Sequence, residues 1–376
     1  MSWAFTMDLH STARKETLSL DRPFHGGTAW KLGDVEDFSS NLNPLGPPPG
    51  LDGMILSCLD QVDHYPDDGS TGFREALSDH YGLPMECLIA GAGSSELIRL
   101  FPEVFVSPGD VVLQPCPCFS EYGFGCNLMG ASIEHFHLTP DNDFRVDFDL
   151  IHEKVNDGLK AIYLCNPNNP TGRIESRSRI LELAEEMESR GSLLFLDECL
   201  LELVKGCENH SCASEVQSHP NIFIINSLTK SFGFPGIRIG YGIGSPEMID
   251  IMEKARLSWN LGGIEQCIGT CCFRDQYDHV VRAREIIDSE KRRMVEELRS
   301  LGMDSIDPPD SFFFFTSLED LDLNSSQFKD LMLAEGIMVR DCTSFGSGCE
   351  CFTRFSVRTK EKNDLFISVL EHVLES

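Results

Sequence analysis

Long apolar runs are missing from this chain of 376 residues. No stretch approaches the roughly 18 consecutive apolar residues of a membrane-spanning helix, which excludes that class of protein. The segment from Met1 to Lys15 shows no basic stretch followed by an apolar one, so no secretory signal is predicted and a cytoplasmic location is expected. No internal repeat or low-complexity tract is present either.

Basic residues are also scarce. Lys and Arg number 31 against 60 Asp and Glu, which gives a formal net charge of −29. A surface this acidic repels nucleic acid and anionic membranes, so neither is expected as a partner. An anionic ligand would need a pocket that is locally basic, and arginines that fall close together are therefore informative.

The chain has 15 cysteines, but they lack the spacing of a metal site. Two Cys-x-x-Cys pairs at zinc spacing are absent, so no metal is predicted. Because the number is odd and no secretory signal precedes them, reduced thiols are expected rather than a disulfide framework. Most should be buried as small apolar residues.

Lys230 carries the strongest chemical signal. It lies in Ser-Leu-Thr-Lys-Ser-Phe-Gly-Phe-Pro-Gly-Ile-Arg, which spans residues 227–238. A lysine beside hydroxyls, with an arginine eight residues later, is what a pyridoxal phosphate (PLP) site requires. The amine can bond to the aldehyde carbon, while Ser227 and Arg238 hold the phosphate. The Pro-Gly pair between them supplies a tight turn.

Two further segments follow strand-like apolar runs. Asn-Pro-Asn-Asn-Pro-Thr-Gly at 166–172 follows one run, and Asp197 ends another. A carboxylate there can pair with a protonated pyridine nitrogen and keep the ring an electron sink. Since parallel sheets bind ligands beyond the carboxyl ends of their strands, one pocket could receive Asn169, Asp197 and Lys230.

Apolar runs alternate with amphipathic stretches between about residues 86 and 245, which predicts an α/β fold with a mostly parallel sheet. Strands are expected at 111–113, 161–164, 193–196, 222–225 and 237–241, and helices from Ser94, near Glu175, near Ser245 and over 276–301. The predicted division is an N-terminal arm at 1–45, a large domain at 46–262, and a small α+β domain at 263–376 that starts with a linking helix to about 301.

Three other segments resemble those of a known enzyme family, and so does the order of Asn169, Asp197, Lys230 and Arg238 along the chain. They are Phe-Ser-Ser-Asn-Leu-Asn-Pro-Leu-Gly at 38–46, Tyr-Pro-Asp at 65–67, and Gly-Ala-Gly-Ser-Ser-Glu-Leu-Ile at 91–98. Over nearly its whole length the chain resembles the PLP-dependent enzymes of fold type I. Within them it is similar to the histidinol-phosphate aminotransferases and the L-threonine-O-3-phosphate decarboxylases.

Details of the sequence favour the decarboxylases. They are His25-Gly26-Gly27, the run Pro-Cys-Phe-Ser-Glu-Tyr at 117–122, and a strand-like segment with Arg354 and Arg358. Residues 354, 356 and 358 of a strand point the same way, so both arginines could share a pocket. The resemblance implies that Arg354 binds the substrate carboxylate, and Arg358, His25 and Asn43 complete the predicted substrate-binding set.

The resemblance also implies the cofactor-binding set: Ser94 and Ser95 at the start of a serine-capped helix, Phe119 stacked on the ring, Asn169 on the ring oxygen O3′, Asp197, Ser227, Thr229, Lys230, Arg238, and Tyr65 reaching the phosphate in a neighbouring subunit. Lys230 and Asp197 are the predicted catalytic residues. Tyr65 predicts a homodimer with shared active sites. Many relatives place a tyrosine that donates to O3′ where this chain has Leu200.

The function that the resemblance implies is decarboxylation of O-phospho-L-threonine to (R)-1-amino-2-propanol O-phosphate, in cobalamin biosynthesis. Transamination of histidinol phosphate with 2-oxoglutarate stays open, because both reactions use Lys230, Asp197 and Asn169. A protein that keeps the fold only for binding is a third possibility, which the intact set of side chains disfavours. The expected partner is a small phosphorylated amino acid.

Overall fold

The computed structural model describes residues 7–23, 25–303, 306–346 and 348–375. The strands are β1 (Glu36–Asp37), β2 (Leu88–Gly91), β3 (Val111–Cys116), β4 (Ser132–His137), β5 (Leu159–Cys165), β6 (Leu193–Asp197), β7 (Ile222–Ser227), β8 (Gly240–Gly244), β9 (Phe313–Ser317), β10 (Ile337–Met338), β11 (Arg340–Asp341) and β12 (Phe352–Ser356). The helices are α1 (Leu9–Thr12), α2 (Lys15–Leu18), α3 (Leu51–Ser57), α4 (Thr71–Tyr81), α5 (Ser94–Phe105), α6 (Glu121–Leu128), α7 (Phe148–Lys154), α8 (Arg177–Ser189), α9 (Leu228–Ser231), α10 (Pro246–Glu253), α11 (Gly263–Asp275), α12 (Asp278–Ser300), α13 (Ser325–Ala334) and α14 (Lys360–Glu375).

Seven strands form one sheet in the order β2-β8-β7-β6-β5-β3-β4. The pairs from β4 through to β7 are parallel, and β8 alone runs antiparallel to its neighbours. Strands β5, β6 and β7 are almost wholly buried. Helices cover both faces of such a sheet, which is why these strands appear in the sequence as continuous apolar runs. The predicted α/β fold is confirmed.

The strand predicted at 237–241 is wrong in its position. The strand observed there begins at Gly240, and residues 237–239 belong to the connection that leads into it. Gly242 lies so close to the next strand that a Cβ on it would come within 2.5 Å of Phe223. The sequence also failed to predict β4, an edge strand whose side chains are mostly exposed and polar and therefore form no apolar run.

One long helix contributes to two of the hydrophobic cores. In α12, Val280 and Ile287 belong to the core beside the large sheet, while Met294 and Leu298 belong to the second core. Its 23 residues give it a length of about 34 Å. The helix α11, at the start of the predicted small domain, packs against α4 beside the large sheet.

The elements around this second core form what we call the second unit. It is built on a three-stranded antiparallel sheet in the order β11-β12-β9. The strand β1 of the N-terminal arm pairs in parallel with β10 of this unit. The Phe38 amide also donates to the Met338 carbonyl, and the Ser356 amide donates to the Phe38 carbonyl. Residues 36–38 are therefore an integral part of this second unit.

One cysteine pair departs from the expectation of reduced thiols. Cys58 and Cys267 form a disulfide that joins the end of α3 to α11. The two residues are 209 apart in sequence, so only the folded chain brings them together. The other 13 cysteines, all within the described residues, are free and mostly buried, as expected for small apolar side chains.

No helix in the described ranges is both long enough and apolar enough to cross a bilayer.

Candidate active site

A cavity of about 290 Å³ lies at the carboxyl ends of the parallel strands, beside the antiparallel sheet of the second unit. The predicted site residues that line it are His25, Ser94, Ser95, Phe119, Asn169, Asp197, Ser227, Thr229, Lys230, Arg238 and Arg354. Asn43, Tyr65 and Arg358 are not part of the lining. The cavity forms where the topology predicts it, beyond the carboxyl ends of β5, β6 and β7.

Lys230 lies on the short helix α9, directly after β7. Its carbonyl accepts a hydrogen bond from the Asn43 amide at 3.0 Å. No hydrogen bond joins its amine to any other described residue, so the amine is available inside the cavity. Desolvation, and then the charge of Arg354, lower the pKa of Lys230. Both effects favour the neutral amine, which is the nucleophilic form.

Asp197 is fixed at the end of β6 by two hydrogen bonds. The Tyr122 hydroxyl donates to Oδ2 at 2.6 Å, and the Cys199 amide donates to Oδ1 at 2.8 Å. Burial raises the pKa of Asp197, while these hydrogen bonds oppose the rise. The sequence did not reveal the role of Tyr122. Its position three residues after Phe119, at the start of a helix, is the signal that could have revealed it.

Asn169 has a hydrogen bond that orients its amide group. Its Oδ1 accepts from Nη1 of Arg354, which leaves the amide Nδ2 as a donor toward the cavity. A donor at this place fits the ring oxygen O3′ of the predicted cofactor. Leu200 lies in the lining too and carries no hydroxyl, so the second donor of many relatives is absent here.

A cup for an anion forms where α5 begins. The residue before the helix is Gly93, with φ of 76°, and not the serine cap that the sequence suggested. A Cβ at Gly93 would lie 2.6 Å from Nη2 of Arg238, so the guanidinium lies against the backbone. Ser94 and Ser95 open the helix, and their amides lack acceptors within it. Free amides and a guanidinium together suit a phosphate.

A family model described as aminotransferase class I and II matches residues 59–370. The chain belongs to this family. Its cofactor is pyridoxal 5′-phosphate.

Named relatives carry two different activities. A putative threonine-phosphate decarboxylase of Caldanaerobacter subterraneus is 32% identical, and the match covers 93% of this chain and 94% of the relative. A histidinol-phosphate aminotransferase of Methanopyrus kandleri is 29% identical, over 91% of this chain and 89% of the relative. The solved histidinol-phosphate aminotransferase of Clostridium acetobutylicum superposes with a TM-score of 0.83 at 26% identity, covering 91% of this chain and 99% of the other.

The side chains of this class I and II aminotransferase fold fit the cofactor. An amine without a partner, a fixed carboxylate and an anion cup lie in one cavity, as the aldehyde, the pyridine nitrogen and the phosphate require. Lys230 would hold the aldehyde carbon, Asp197 the ring nitrogen, and Arg238 with the start of α5 the phosphate. When bound, the cofactor supplies an electron sink for charge that develops at Cα of an amino acid.

Two arginines of the second unit lie together in the lining of the cavity. Arg340 and Arg354 are directly opposite each other in the register of β11 and β12, and both line the cavity. Arg354 is only 6% exposed, and burial lowers its pKa to about 10. Its buried Nε has no hydrogen-bond partner among the described residues. A desolvated guanidinium of this kind suits a carboxylate ligand.

Arg340 lines the cavity, and the sequence did not reveal it. Its guanidinium donates to the Ser344 hydroxyl at 2.7 Å, and desolvation lowers its pKa. The ring of Phe345 lies 5.1 Å from the guanidinium carbon of Arg340 and 5.8 Å from that of Arg354. Only the pairing of β11 with β12 brings the two arginines together, and spacing along the chain does not show it.

Arg358 does not reach the cavity, which corrects its predicted role in substrate binding. The strand β12 ends at Ser356, so the alternation of strand side chains no longer applies at residue 358. The guanidinium is buried against the arm and donates to the carbonyls of Asp37, Ser40 and Leu42. Arg358 therefore holds the arm to the second unit.

Replacing Arg358 by alanine should lower the free energy of unfolding by about 2–4 kcal/mol, because buried carbonyls of the arm lose their donor. Urea unfolding of the holoenzyme measures this change. Arg292→Ala, which removes an exposed guanidinium paired with Asp288, is the matched control and should cost less than about 1 kcal/mol. Equal stability of the two variants would contradict the assignment.

Asn43 also differs from its predicted role. Its side-chain amide donates to the Ser231 carbonyl at 2.7 Å and its Oδ1 accepts from the Leu45 amide at 2.9 Å. Both polar ends are thus used within the protein. Asn43 braces the helix that carries Lys230, and it does not line the cavity.

Tyr65 lies on the outer surface. It is 75% exposed and stacks on Trp259 with ring centroids 4.6 Å apart. Within one chain it has no place in the cavity, and its contact with a partner's phosphate stays a prediction.

Proposed function

We propose that this protein is a PLP-dependent decarboxylase that converts O-phospho-L-threonine to (R)-1-amino-2-propanol O-phosphate, a step of cobalamin biosynthesis. The observation that carries the proposal is the pair Arg340 and Arg354 at the substrate end of the cavity. Arg238 lies against the anion cup, and Arg340 and Arg354 are two further cations in the lining of the cavity. A carboxylate and a side-chain phosphate are the two anions that such a pair suits.

The spacing of the two cations supports a short substrate. Because their distances to Phe345 are 5.1 Å and 5.8 Å, the guanidinium carbons lie at most their sum apart, about 11 Å. Two cations this close can bind two anionic groups of one small substrate, such as the carboxylate and the phosphate of O-phospho-L-threonine.

His25 and Gly26 complete the phosphate end. Both line the cavity, and a Cβ on Gly26 would lie 3.3 Å from Nη1 of Arg340. The glycine therefore lets the backbone of the arm approach the guanidinium closely. A phosphate bound by Arg340 would lie between the second unit and the arm, and the arm would close over it.

The roles of the protein side chains in this reaction follow from their positions. Arg354 would hold the carboxylate, and Asp197 would keep the pyridine nitrogen of the bound cofactor protonated. Loss of carbon dioxide leaves an electron pair at Cα, and the amine of Lys230 is placed to return a proton there. Asn169, oriented by Arg354, couples the position of the ring to the residue that binds the carboxylate.

Histidinol-phosphate aminotransferase is the second candidate, because relatives with that name match over most of this chain. Both activities use Lys230, Asp197 and Asn169. They differ in which bond to Cα is broken, and hence in whether carbon dioxide is released.

The wild-type holoenzyme should release carbon dioxide from O-phospho-L-threonine, measured together with the amino alcohol phosphate by mass spectrometry. Arg340→Ala should lower kcat/KM by roughly 10²-fold or more, because the phosphate loses a desolvated cation. Arg340→Lys should fall between, since it keeps the charge but loses the planar fork. Transamination of histidinol phosphate by 2-oxoglutarate without release of carbon dioxide would overturn the proposal.

We also propose that the protein acts as a homodimer whose subunits contact each other near Tyr65. A group of large apolar side chains is exposed on this side of the chain: Leu56, Leu59, Val62, Tyr65, Leu257 and Trp259. Exposed apolar residues near one another favour a protein partner, and a second copy is the partner that would bring Tyr65 to a cofactor phosphate.

Trp259→Glu should shift the holoenzyme from dimer to monomer in sedimentation velocity and weaken retention of PLP, because a buried charge opposes association. Trp30→Glu, at an exposed tryptophan of the arm, is the control. A wild type that sediments as a monomer would refute the dimer.

A further inference from the structure

The N-terminal arm lies along α6 and is tied to both of its ends. The helix α2 of the arm packs beside α6. At the C-terminal end, Nη2 of Arg14 donates to the Leu128 carbonyl. At the N-terminal end, Nε2 of His25 lies 2.6 Å from Oε1 of Glu121. Neither α1 nor α2 contains a buried residue, so polar contacts of this kind have a large share in holding the part of the arm that contains these two helices.

Glu121 stands between the arm and the cofactor end of the cavity. It is the first residue of α6, and the next residue, Tyr122, donates to Asp197. The ring of His25 also lies 5.8 Å from that of Phe119. The short segment 119–122 thus contains the predicted ring-stacking residue, donates a hydrogen bond to the predicted catalytic carboxylate and contacts the arm.

We propose that Glu121 is a positioning residue that fixes the imidazole of His25 over the cavity and thereby favours substrates with a phosphorylated side chain. The proposal rests on the proposed function in that the ligand of His25 is a substrate phosphate. A carboxylate only accepts hydrogen bonds, so Nε2 of His25 is the donor to Glu121. With both nitrogens protonated, the imidazolium donates from Nε2 to Glu121 and from Nδ1 to a phosphate.

Without Glu121 the imidazole would lose its anchor. The His25 side chain is 40% exposed, against 20% for Glu121, so a free imidazole could turn into solvent. Arg340 would still attract a phosphate, but the arm would no longer close on it. The loss should therefore affect the phosphate of a ligand and leave recognition of its amino and carboxylate groups in place.

An acidic residue in the first turn of a helix has a simpler role, which is to stabilise the helix through its dipole. A double-mutant cycle separates the two roles. The variants are His25→Ala, Glu121→Ala and the double variant, each as holoenzyme, and the measured quantity is the Kd from the change in cofactor absorbance. O-phospho-L-threonine and L-threonine are the two ligands.

Glu121→Ala should raise the Kd of O-phospho-L-threonine about tenfold in the wild-type background, the scale of one hydrogen bond to a charged group. It should have little effect in the His25→Ala background, because Glu121 acts through His25. The Kd of L-threonine should change less than threefold throughout. Glu121→Gln should lie between, since its amide oxygen can accept, and Glu134→Gln, on the exposed edge strand β4, should match the wild type.

Equal effects of Glu121→Ala in both backgrounds, or equal effects on both ligands, would refute the proposal in favour of the helix dipole.

A second measurement needs no substrate. Trypsin should cut the arm after Arg14 or Lys15 faster in Glu121→Ala than in the wild type, because the arm detaches more often.

The outcomes also separate this proposal from the proposed function. If the protein transaminates histidinol phosphate, the decarboxylase assignment fails, and the cycle is run with histidinol phosphate against histidinol. Coupling between Glu121 and His25 in the Kd of histidinol phosphate would support the proposal. Additive effects of the two substitutions, together with an unchanged rate of proteolysis, would refute it.

Discussion

Lys230→Ala should abolish turnover, with a loss of more than about 10⁴-fold in kcat. The amine has two tasks, since it bonds to the aldehyde carbon and then carries the proton to Cα. No second described lysine lines the cavity. The lowered pKa of Lys230 supports both tasks, because a neutral amine is needed to attack a carbonyl carbon and an ammonium of lowered pKa gives up its proton more readily.

Borohydride reduction of the wild-type holoenzyme should remove its visible absorbance and leave a pyridoxyl group on Lys230, located by peptide mass spectrometry. Lys254→Ala, which removes an exposed lysine paired with Asp250 on α10, is the matched control and should retain full activity. A pyridoxyl group on any other lysine would refute the assignment.

Asp197→Ala should lower kcat by roughly 10³-fold or more while some cofactor stays bound. The anion cup at the start of α5 is separate from Asp197, so the phosphate keeps its partners. Without the carboxylate, the pyridine nitrogen loses its proton and charge at Cα is no longer stabilised. Single-turnover kinetics and the cofactor content of the purified variant measure the two effects independently.

Tyr122→Phe tests the same carboxylate from its other side. It removes the hydrogen bond to Oδ2 of Asp197 but keeps the negative charge, so a loss of only about tenfold is expected. If Asp197→Ala retained a tenth of the wild-type rate, the role of Asp197 as partner of the ring nitrogen would be disproved.

Much of the large sheet could be predicted because its buried strands are visible as apolar runs in the local sequence. The strands β5, β6 and β7 are almost wholly buried, so most of their residues are apolar and the runs stand out in the sequence. The helices α8 and α10 begin after Ser176 and Ser245, whose side chains cap them. The exposed edge strand β4 and the glycine-rich β8 carry no such pattern, and neither was predicted correctly.

The position of Arg358 shows the limit of reasoning by alternation. Its placement was inferred from strand geometry, but the strand ends two residues earlier. Where a strand ends depends on its neighbours, here the arm that accepts hydrogen bonds from Arg358. The disulfide between Cys58 and Cys267 is the same kind of case, since contact between distant residues leaves no trace in local spacing.

The sequence by itself determined the fold class, the cofactor, and the meeting of Asn169, Asp197 and Lys230 at one edge of the sheet. Each of these three residues lies at or after the end of a strand in a parallel sheet, so local sequence pattern and general topology were enough to predict that they meet. Only the tertiary structure placed Arg340 opposite Arg354 and joined His25 to Glu121. These pairs connect separate parts of the chain, and packing between distant elements, rather than any spacing along the chain, brings such side chains together.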